Sequence, residues 1–262
     1  MKSNEKVQKY LLLILITVLV MVNPLYAENG QDIMQKVFDA KAPEYSHSAV
    51  KMELINSNGE TQTRMMEEWG KEEDSLLSTV IIFRSPSSVK NTRFLQVQNE
   101  EKADDKWIYL PTLRTVRRIS SSDGDKSFMG TDATYDDLTT REVNLDNHEY
   151  LSDEKIGSYN CFKVKSTAKD PSTSQYGYLI SYVEKESFVP IKVEMYDKDE
   201  NLLKVLTVDS LDHNGIYWIP MINTMTNVQT GHSTKLSIVQ LVLDEELSPK
   251  MFTPTFLKTG RV

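Results

Sequence analysis

Two aromatic residues near the middle of the chain could contact lipid. Trp107 and Tyr109 are two residues apart, so they share one face of a predicted strand. An aromatic ring there can contact acyl chains while its N–H or hydroxyl group keeps a polar partner, although ordinary core packing is the alternative. We expect both side chains to face a concave interior.

A second candidate site lies in the loop from Ser120 to Thr131. This loop is rich in Ser, Asp and Gly, yet it contains Phe128 and Met129. Such a loop cannot bury itself, so its two large apolar side chains need a partner surface or the mouth of a cavity. The sequence favours a movable gate here over a static plug.

A short basic cluster separates these two candidates. Alternation along a strand places Arg117 on one face, and Arg114 and Arg118 on the other. An inward Arg117 would need an acceptor, and its forked guanidinium suits an anionic or carbonyl-rich head group. Arg114 and Arg118 are candidates for contact with a partner protein, with a solvated strand face as the alternative.

Signatures of covalent catalysis or metal binding are missing from the sequence. The four histidines have no partner at the i+4 spacing of a helical zinc site, and no nucleophile elbow or phosphate loop occurs. The run 123–125 predicts a plain turn rather than a calcium loop. Asp132 is expected to cap a short helical turn through Leu138. We predict a binding protein without enzyme activity, metal or cofactor.

The N-terminus has the pattern of a cleavable signal peptide. Three lysines precede a twelve-residue apolar run, Leu11 to Val22, and small Ala27 follows. That run is shorter than the roughly 20 residues that span a bilayer, which disfavours a membrane anchor. We predict a signal peptide at 1–27, a periplasmic location and one mature domain at 28–262.

Composition restricts the partners of the mature domain. Loss of residues 1–27 removes three lysines and one glutamate, which changes the formal net charge from −8 to −10. An acidic chain argues against nucleic acid as a partner, because phosphate binding depends on clustered cations. Cys161 is the only cysteine, so no disulfide forms within the chain and the core must hold the fold.

The elements that must position these residues are mostly strands. Ile33, Val37 and Phe38 predict one helix over Gln31 to Ala42, ending before Pro43. About a dozen short runs with period-two alternation predict strands. The runs are 50–54, 61–69, 76–83, 92–98, 107–110, 113–119, 162–165, 176–184, 191–195, 202–208, 216–227 and 235–243. They favour a mainly β fold, a strongly curved antiparallel sheet of about 11 strands that can enclose a cavity.

Three motifs in the central region resemble a known family. Trp107 to Ser120 fits W-x-Y-L-P-x-L-R-x-V-R-R-I-S, Ser127 to Asp132 fits S-F-M-G-[ST]-D, and Tyr135 to Leu138 fits Y-[DE]-D-L. This set resembles the LolA-like family of outer-membrane lipoprotein-sorting proteins. The resemblance implies an unclosed barrel with an N-terminal helix and a lid of loops and short helices over its concave face. It also implies an arginine that latches the lid, for which Arg117 is the candidate by its face.

The resemblance also implies a function. We predict a periplasmic carrier that binds acyl chains of lipoproteins or other lipids and moves them from the inner toward the outer membrane. Its expected partners are an inner-membrane transporter, either an ABC-type lipoprotein releaser or a resistance-nodulation-division-type exporter, and an outer-membrane acceptor. The alternatives are a LolA-like envelope sensor with a membrane signalling partner and, from unplaced carboxylates and hydroxyls alone, a secreted hydrolase.

Overall fold

In the part of the chain that the structure describes, the fold consists of thirteen strands and two short helices. The computed structural model describes residues 29–100 and 102–261, so the predicted signal peptide lies outside the described residues. The helices are α1 (Gly30–Phe38) and α2 (Pro254–Thr259). The strands are β1 (Tyr45–Ile55), β2 (Thr61–Glu73), β3 (Leu76–Ser85), β4 (Arg93–Val97), β5 (Asp105–Leu110), β6 (Thr115–Ile119), β7 (Asp146–Ile156), β8 (Tyr159–Ala168), β9 (Tyr178–Glu184), β10 (Pro190–Tyr196), β11 (Leu202–Asn214), β12 (Tyr217–Asn227) and β13 (His232–Leu243). Within the described ranges no helix is long and apolar enough to cross a membrane.

All thirteen strands form one antiparallel sheet in the order β6-β5-β4-β3-β2-β1-β13-β12-β11-β10-β9-β8-β7. Strands β6 and β7 are its two edges, so the sheet is not closed into a barrel. This confirms the mainly β, unclosed fold class, but the sheet has more strands than the expected 11. The strand without a sequence prediction is β7, an edge strand whose residues are mostly exposed and therefore lack an apolar alternation.

Two ion pairs between the sheet and one loop show that the sheet is curved. Lys106 on β5 and Lys204 on β11 bind the adjacent carboxylates of Asp136 and Asp137, with Nζ–Oδ distances of 3.3 and 3.1 Å. These strands are seven positions apart in the sheet, about 34 Å if it were flat with about 4.8 Å between strands. The sheet must therefore curl until both lysines point into one interior. We call this the inner face, and the register extends it to every strand because directly paired residues share a face.

The segment between β6 and β7, residues 120–145, lies across the inner face, and we call it the lid. It contains 3-10 turns at Ser121–Asp123 and Val143–Leu145 and an isolated bridge between Ser127 and Thr134, but no α-helix. The turn that ends at Leu138 is capped by Thr134 and Asp137, each of which accepts a hydrogen bond from the other's backbone N–H. The prediction that Asp132 caps this turn is wrong, because its carboxylate binds strand β13 instead.

Helix α1 covers the inner face over β7 and β8. Asn29 caps its N-terminus, and Ile33 is fully buried against Phe162, Val164 and Val183. The helix ends at Phe38, four residues before the expected Ala42. The lid and α1 therefore share the inner face between them.

Candidate functional site

An apolar cluster on the inner face accepts a side chain from the lid. The cluster consists of six buried residues from β1 to β4, and we call it the inner cluster: Val50, Met52, Met66, Ile81, Phe83 and Phe94. Phe128 of the lid packs onto it with 3% exposure, and its ring centroid lies 5.0 Å from that of Phe94. The cavity that the sequence predicted over this part of the sheet is therefore filled by the lid.

Arg64 holds the lid next to Phe128. Its Nη1 donates a hydrogen bond to the carbonyl oxygen of Met129 over 2.6 Å, and its Nη2 donates to Gln62. Arg64 is 8% exposed, and burial lowers the pKa of its guanidinium. Met129 adopts a left-handed backbone conformation (φ 53°), which turns its carbonyl into this contact and is uncommon for a residue with a side chain.

The latch assigned to Arg117 is therefore made by another arginine. Arg117 does lie on the inner face, paired with Ile108, as its alternation with Thr115 and Ile119 predicted. However, it is exposed, and its charge acts on Asp123 and Tyr135 rather than on the lid backbone at Met129. Its proposed contact with a head group stays a prediction.

Charged and polar side chains of the sheet form a second set of contacts with the lid. Besides the pairs of Lys106 with Asp136 and Lys204 with Asp137, His232 Nδ1 lies 2.8 Å from Asp132 Oδ2. The hydroxyl of Tyr176 donates to Asp137, and burial followed by the charge of Asp137 raises the pKa of Tyr176. The lid is thus held by ion pairs at both walls of the curved sheet.

Trp107 and Tyr109 share a face, but it is the outer face, so the expectation that they point into the interior is wrong. They pack with the segment that contains α2, whose residues Met251 and Phe256 cover the outer side of the sheet. Arg93 stacks on the ring of Tyr109 at 4.9 Å and donates a hydrogen bond to the carbonyl of Leu257 over 2.6 Å. These aromatics are separated by the sheet from Phe128 and Met129.

Arg114 and Arg118 lie near the β6 edge of the sheet. Arg114 is exposed in the turn between β5 and β6, beside Leu113, which is 61% exposed. Arg118 is exposed on the outer face and forms an ion pair with Asp105. Their proposed role in partner binding stays a prediction.

Beyond the lid, the middle of the sheet presents apolar side chains that are only partly covered. The register places them on the inner face of β11, β12 and β13, and each is half-buried: Leu206, Val208, Met225, Leu236 and Ile238. A groove of about 300 Å³ opens where the ends of β1, β2 and β13 meet the lid at Gly130, and its volume is at the small end of ligand sites. It is lined by Leu54, Asn56, Glu60, Thr61, Gln62, Arg64, Gly130 and His232.

Several of these residues were not singled out by sequence reasoning. Arg64, Lys106 and Lys204 each occupy an apolar position of an alternating strand, two residues from Met66, Ile108 and Leu206 respectively. The signal that could have identified them is a positively charged residue at a strand position where the alternation predicts a buried apolar side chain. Their partners could not be identified in this way, since the lid residues are distant in sequence.

Metal and thiol chemistry receive no support from the described part of the chain. Within residues 29–100 and 102–261, no group of three or more His, Cys, Asp or Glu side chains is placed to hold a metal ion. Cys161 is fully buried, and burial raises the pKa of its thiol to about 11, so it is a poor nucleophile.

Comparisons with known proteins agree with this architecture. A family model described as "Uncharacterized protein" matches residues 76–259. A structure of an outer membrane lipoprotein-sorting protein domain from Vibrio parahaemolyticus is 32% identical, with a TM-score of 0.82, over 87% of this chain and 98% of that one. A DUF1329 family protein from Desulfovibrio piger is 25% identical, also with a TM-score of 0.82, over 87% and 97%.

A more distant structure shows the same fold. The LolA superfamily protein from Nitrosomonas europaea is 18% identical, with a TM-score of 0.67, over 88% of this chain and 100% of that one. No curated protein matches the chain.

Proposed function

Because this chain belongs to the LolA-like outer-membrane lipoprotein-sorting family, we propose that it is a periplasmic carrier whose inner face binds the acyl chains of lipoproteins or other lipids. It moves them from the inner toward the outer membrane by binding and release, without a covalent step. In this proposal the closed lid is the state without cargo, and an acyl chain takes the place of the lid on the inner cluster.

The packing of Phe128 is the observation that carries this proposal. A residue from a segment without regular helix or strand reaches an apolar surface built by four strands, and its ring also contacts Tyr135 of the lid, with centroids 5.7 Å apart. Once the lid moves away, the inner cluster is continuous with the half-buried strip on β11 to β13, because β1 pairs with β13. An apolar surface of that extent inside a curved sheet suits a flexible hydrocarbon chain.

The energetics also favour an exchange between lid and cargo. Each methylene taken from a bilayer into water costs about 0.8 kcal/mol, so one long acyl chain faces a barrier on the order of ten kcal/mol without a carrier. The inner cluster already binds the apolar ring of Phe128. It therefore offers an acyl chain the same apolar surface. Since the lid competes for that surface, it also promotes release of the cargo.

Loading and unloading require partners that this chain does not supply. We propose an inner-membrane transporter of the ABC-type or resistance-nodulation-division type as the donor, and an outer-membrane protein or the outer membrane itself as the acceptor. Arg114 and the neighbouring exposed Leu113 form a projecting corner on which a donor could dock. Trp107 and Tyr109 contribute to this model only by packing the outer face.

A reversible lock on the lid tests the proposal. The backbone N–H of Asp132 donates to Oγ1 of Thr234 over 3.0 Å, which keeps the two Cα atoms within the roughly 7 Å that a disulfide can span. In a Cys161→Ala background, Asp132→Cys with Thr234→Cys should form a disulfide between lid and β13 under oxidising conditions. Uptake of a fluorescent lipid from vesicles should stop when this variant is oxidised and return when it is reduced.

The same variant is its own control, since only the redox state changes. Equal lipid uptake by the locked and the reduced protein would exclude the surface under the lid as the binding site. A protein that takes up no lipid in either state, and none in the wild-type chain, would refute the carrier function itself.

A further inference from the structure

The inner face carries cations where an acyl-chain pocket alone would need none, and we propose that they select anionic lipids. In this proposal Lys106 and Lys204 bind the phosphate of a lipid head group, which replaces the carboxylates of Asp136 and Asp137 when the lid opens. The inference rests on the proposed function, because it requires the lid to leave the inner face.

Burial of the two lysines is the first argument. Lys106 is 7% exposed and Lys204 is 6% exposed, whereas lysine is almost never buried at this level without a charged partner. Lys204 and Asp137 are both buried, whereas Asp136 is 53% exposed, and neither kind of ion pair adds much to stability compared with apolar residues of the same size. Holding a lid closed would therefore not by itself require ammonium groups, but neutralising an incoming anion would.

Charge complementarity between lid and sheet is the second argument. Residues 120–138 of the lid contain five aspartates and one lysine, while the sheet below presents Arg64, Lys106, Lys204 and, at its margin, Arg117. Opening the lid removes the negative partner and leaves the positive one. Glu68 also lies on this face, and burial raises the pKa of its carboxyl group above the ordinary value.

The arrangement of the lid indicates an amphiphile rather than a free anion. Tyr135 touches Phe128 and precedes Asp136, and backbone hydrogen bonds pair residues 124–128 with 133–136, so the side chain that fills the inner cluster and the carboxylates that bind the lysines come from one hairpin of the lid. A lipid with its phosphate beside its acyl chains has the same order of groups. A phosphate has enough acceptor oxygens to bind both ammonium groups at once.

The test is a competition between two lipids in one membrane. The full chain is incubated with vesicles of equimolar phosphatidylglycerol and phosphatidylcholine with identical acyl chains, then separated, and its bound lipid is identified by native mass spectrometry. We expect phosphatidylglycerol to exceed phosphatidylcholine about tenfold or more, because both lipids carry the phosphate but the choline cation of phosphatidylcholine is repelled by Lys106 and Lys204. Both lipids share one surface, so the vesicle charge cannot produce the difference.

Two variants separate head-group selection from lid closure. Replacing both pairs together, with Lys106→Gln, Lys204→Gln, Asp136→Asn and Asp137→Asn, keeps hydrogen-bonding groups at the contact and leaves no unpaired buried charge. This variant should take up both lipids in a ratio near one. Asp136→Asn with Asp137→Asn alone should keep the preference and take up more phosphatidylglycerol. Lys155→Gln, on the exposed part of β7, should behave as the wild type.

Each other outcome has a distinct meaning. Wild-type protein that binds the two lipids equally would overturn the selection and leave the carrier proposal standing, whereas protein that binds neither would overturn the carrier proposal. Wild-type protein that binds inorganic phosphate through Lys106 and Lys204, but takes up the two lipids equally, would assign the lysines to a free anion and overturn the lipid assignment. An unchanged preference in the fourfold variant would exclude Lys106 and Lys204 as its cause.

Discussion

Removal of the Phe128 ring tests whether the lid opens without unfolding of the sheet. Phe128→Ala deletes a ring that is 3% exposed and contacts Phe83, Phe94 and Tyr135. A buried Phe→Ala change costs about 3–5 kcal/mol when the site stays closed until the whole protein unfolds. In a protein of this size that cost corresponds to a drop in Tm of roughly 6–20 °C.

A lid that opens before the sheet unfolds limits this cost. Once the lid is open, Phe128 is exposed in the wild type too, so its replacement can lower the free energy of global unfolding by no more than the free energy of lid opening. The carrier proposal requires a lid that opens more easily than the sheet unfolds. We therefore expect a decrease in Tm of only a few degrees, which corresponds to a loss of roughly 1 kcal/mol in the free energy of global unfolding.

Phe94→Ala is the matched control, since Phe94 is 1% exposed in the same cluster but belongs to strand β4. It should show the full decrease in Tm. Urea denaturation gives the global free energy of both variants, and hydrogen exchange at the amide of Asp132, which donates to Thr234 on β13, reports separation of lid and sheet. The exchange of that amide should be faster in Phe128→Ala. Equal decreases in Tm, with Asp132 exchanging only through global unfolding, would show that Phe128 is a static plug.

Two further predictions concern groups buried in the sheet. Burial raises the pKa of Glu68 above its ordinary value of 4.5, so the folded state binds its proton more tightly and loses stability as the pH rises from about 4.5 through that raised pKa. Glu68→Gln should remove this loss, and Tm measured from about pH 5 to pH 8 should fall less in the variant; parallel curves would contradict it. Cys161, with a thiol pKa of about 11 and no exposure, should react with a thiol reagent at about pH 8 only after denaturation. Rapid labelling of the native protein would disprove that burial.

The sequence predicts the strands well because the sheet separates an inner from an outer face. Alternation in Val50, Met52 and Leu54 is visible in one dimension, and the structure places them on one face of β1 as predicted. Strand β7 lacks that signal, because most of the side chains of this edge strand are exposed. Alternation shows which residues share a face of a strand, but not which face of the sheet is the concave one. For this reason Trp107 and Tyr109 were expected inside.

The candidate site was harder to predict because its contacts join distant parts of the chain. Arg64 and Met129 are 65 residues apart, and His232 and Asp132 are 100 apart. Only the curl of the sheet brings them together. The local composition of the Ser120–Thr131 loop did predict that Phe128 needs a partner surface, and the inner cluster is that surface.

The order of strands gives the lid an unusual freedom. Every neighbouring pair of strands in the sheet is consecutive in the chain except β1 with β13. The fold therefore consists of two meanders, β1 to β6 and β7 to β13, which are joined by the hydrogen bonds between β1 and β13. The lid is the crossover from the last strand of one meander to the first strand of the other, and these two strands do not pair. Insertions or deletions there leave every ladder in register, and each doubling of a loop costs only about 0.6 kcal/mol in closure entropy. Homologues can therefore remodel this crossover to suit new guests while the rest of the scaffold stays the same.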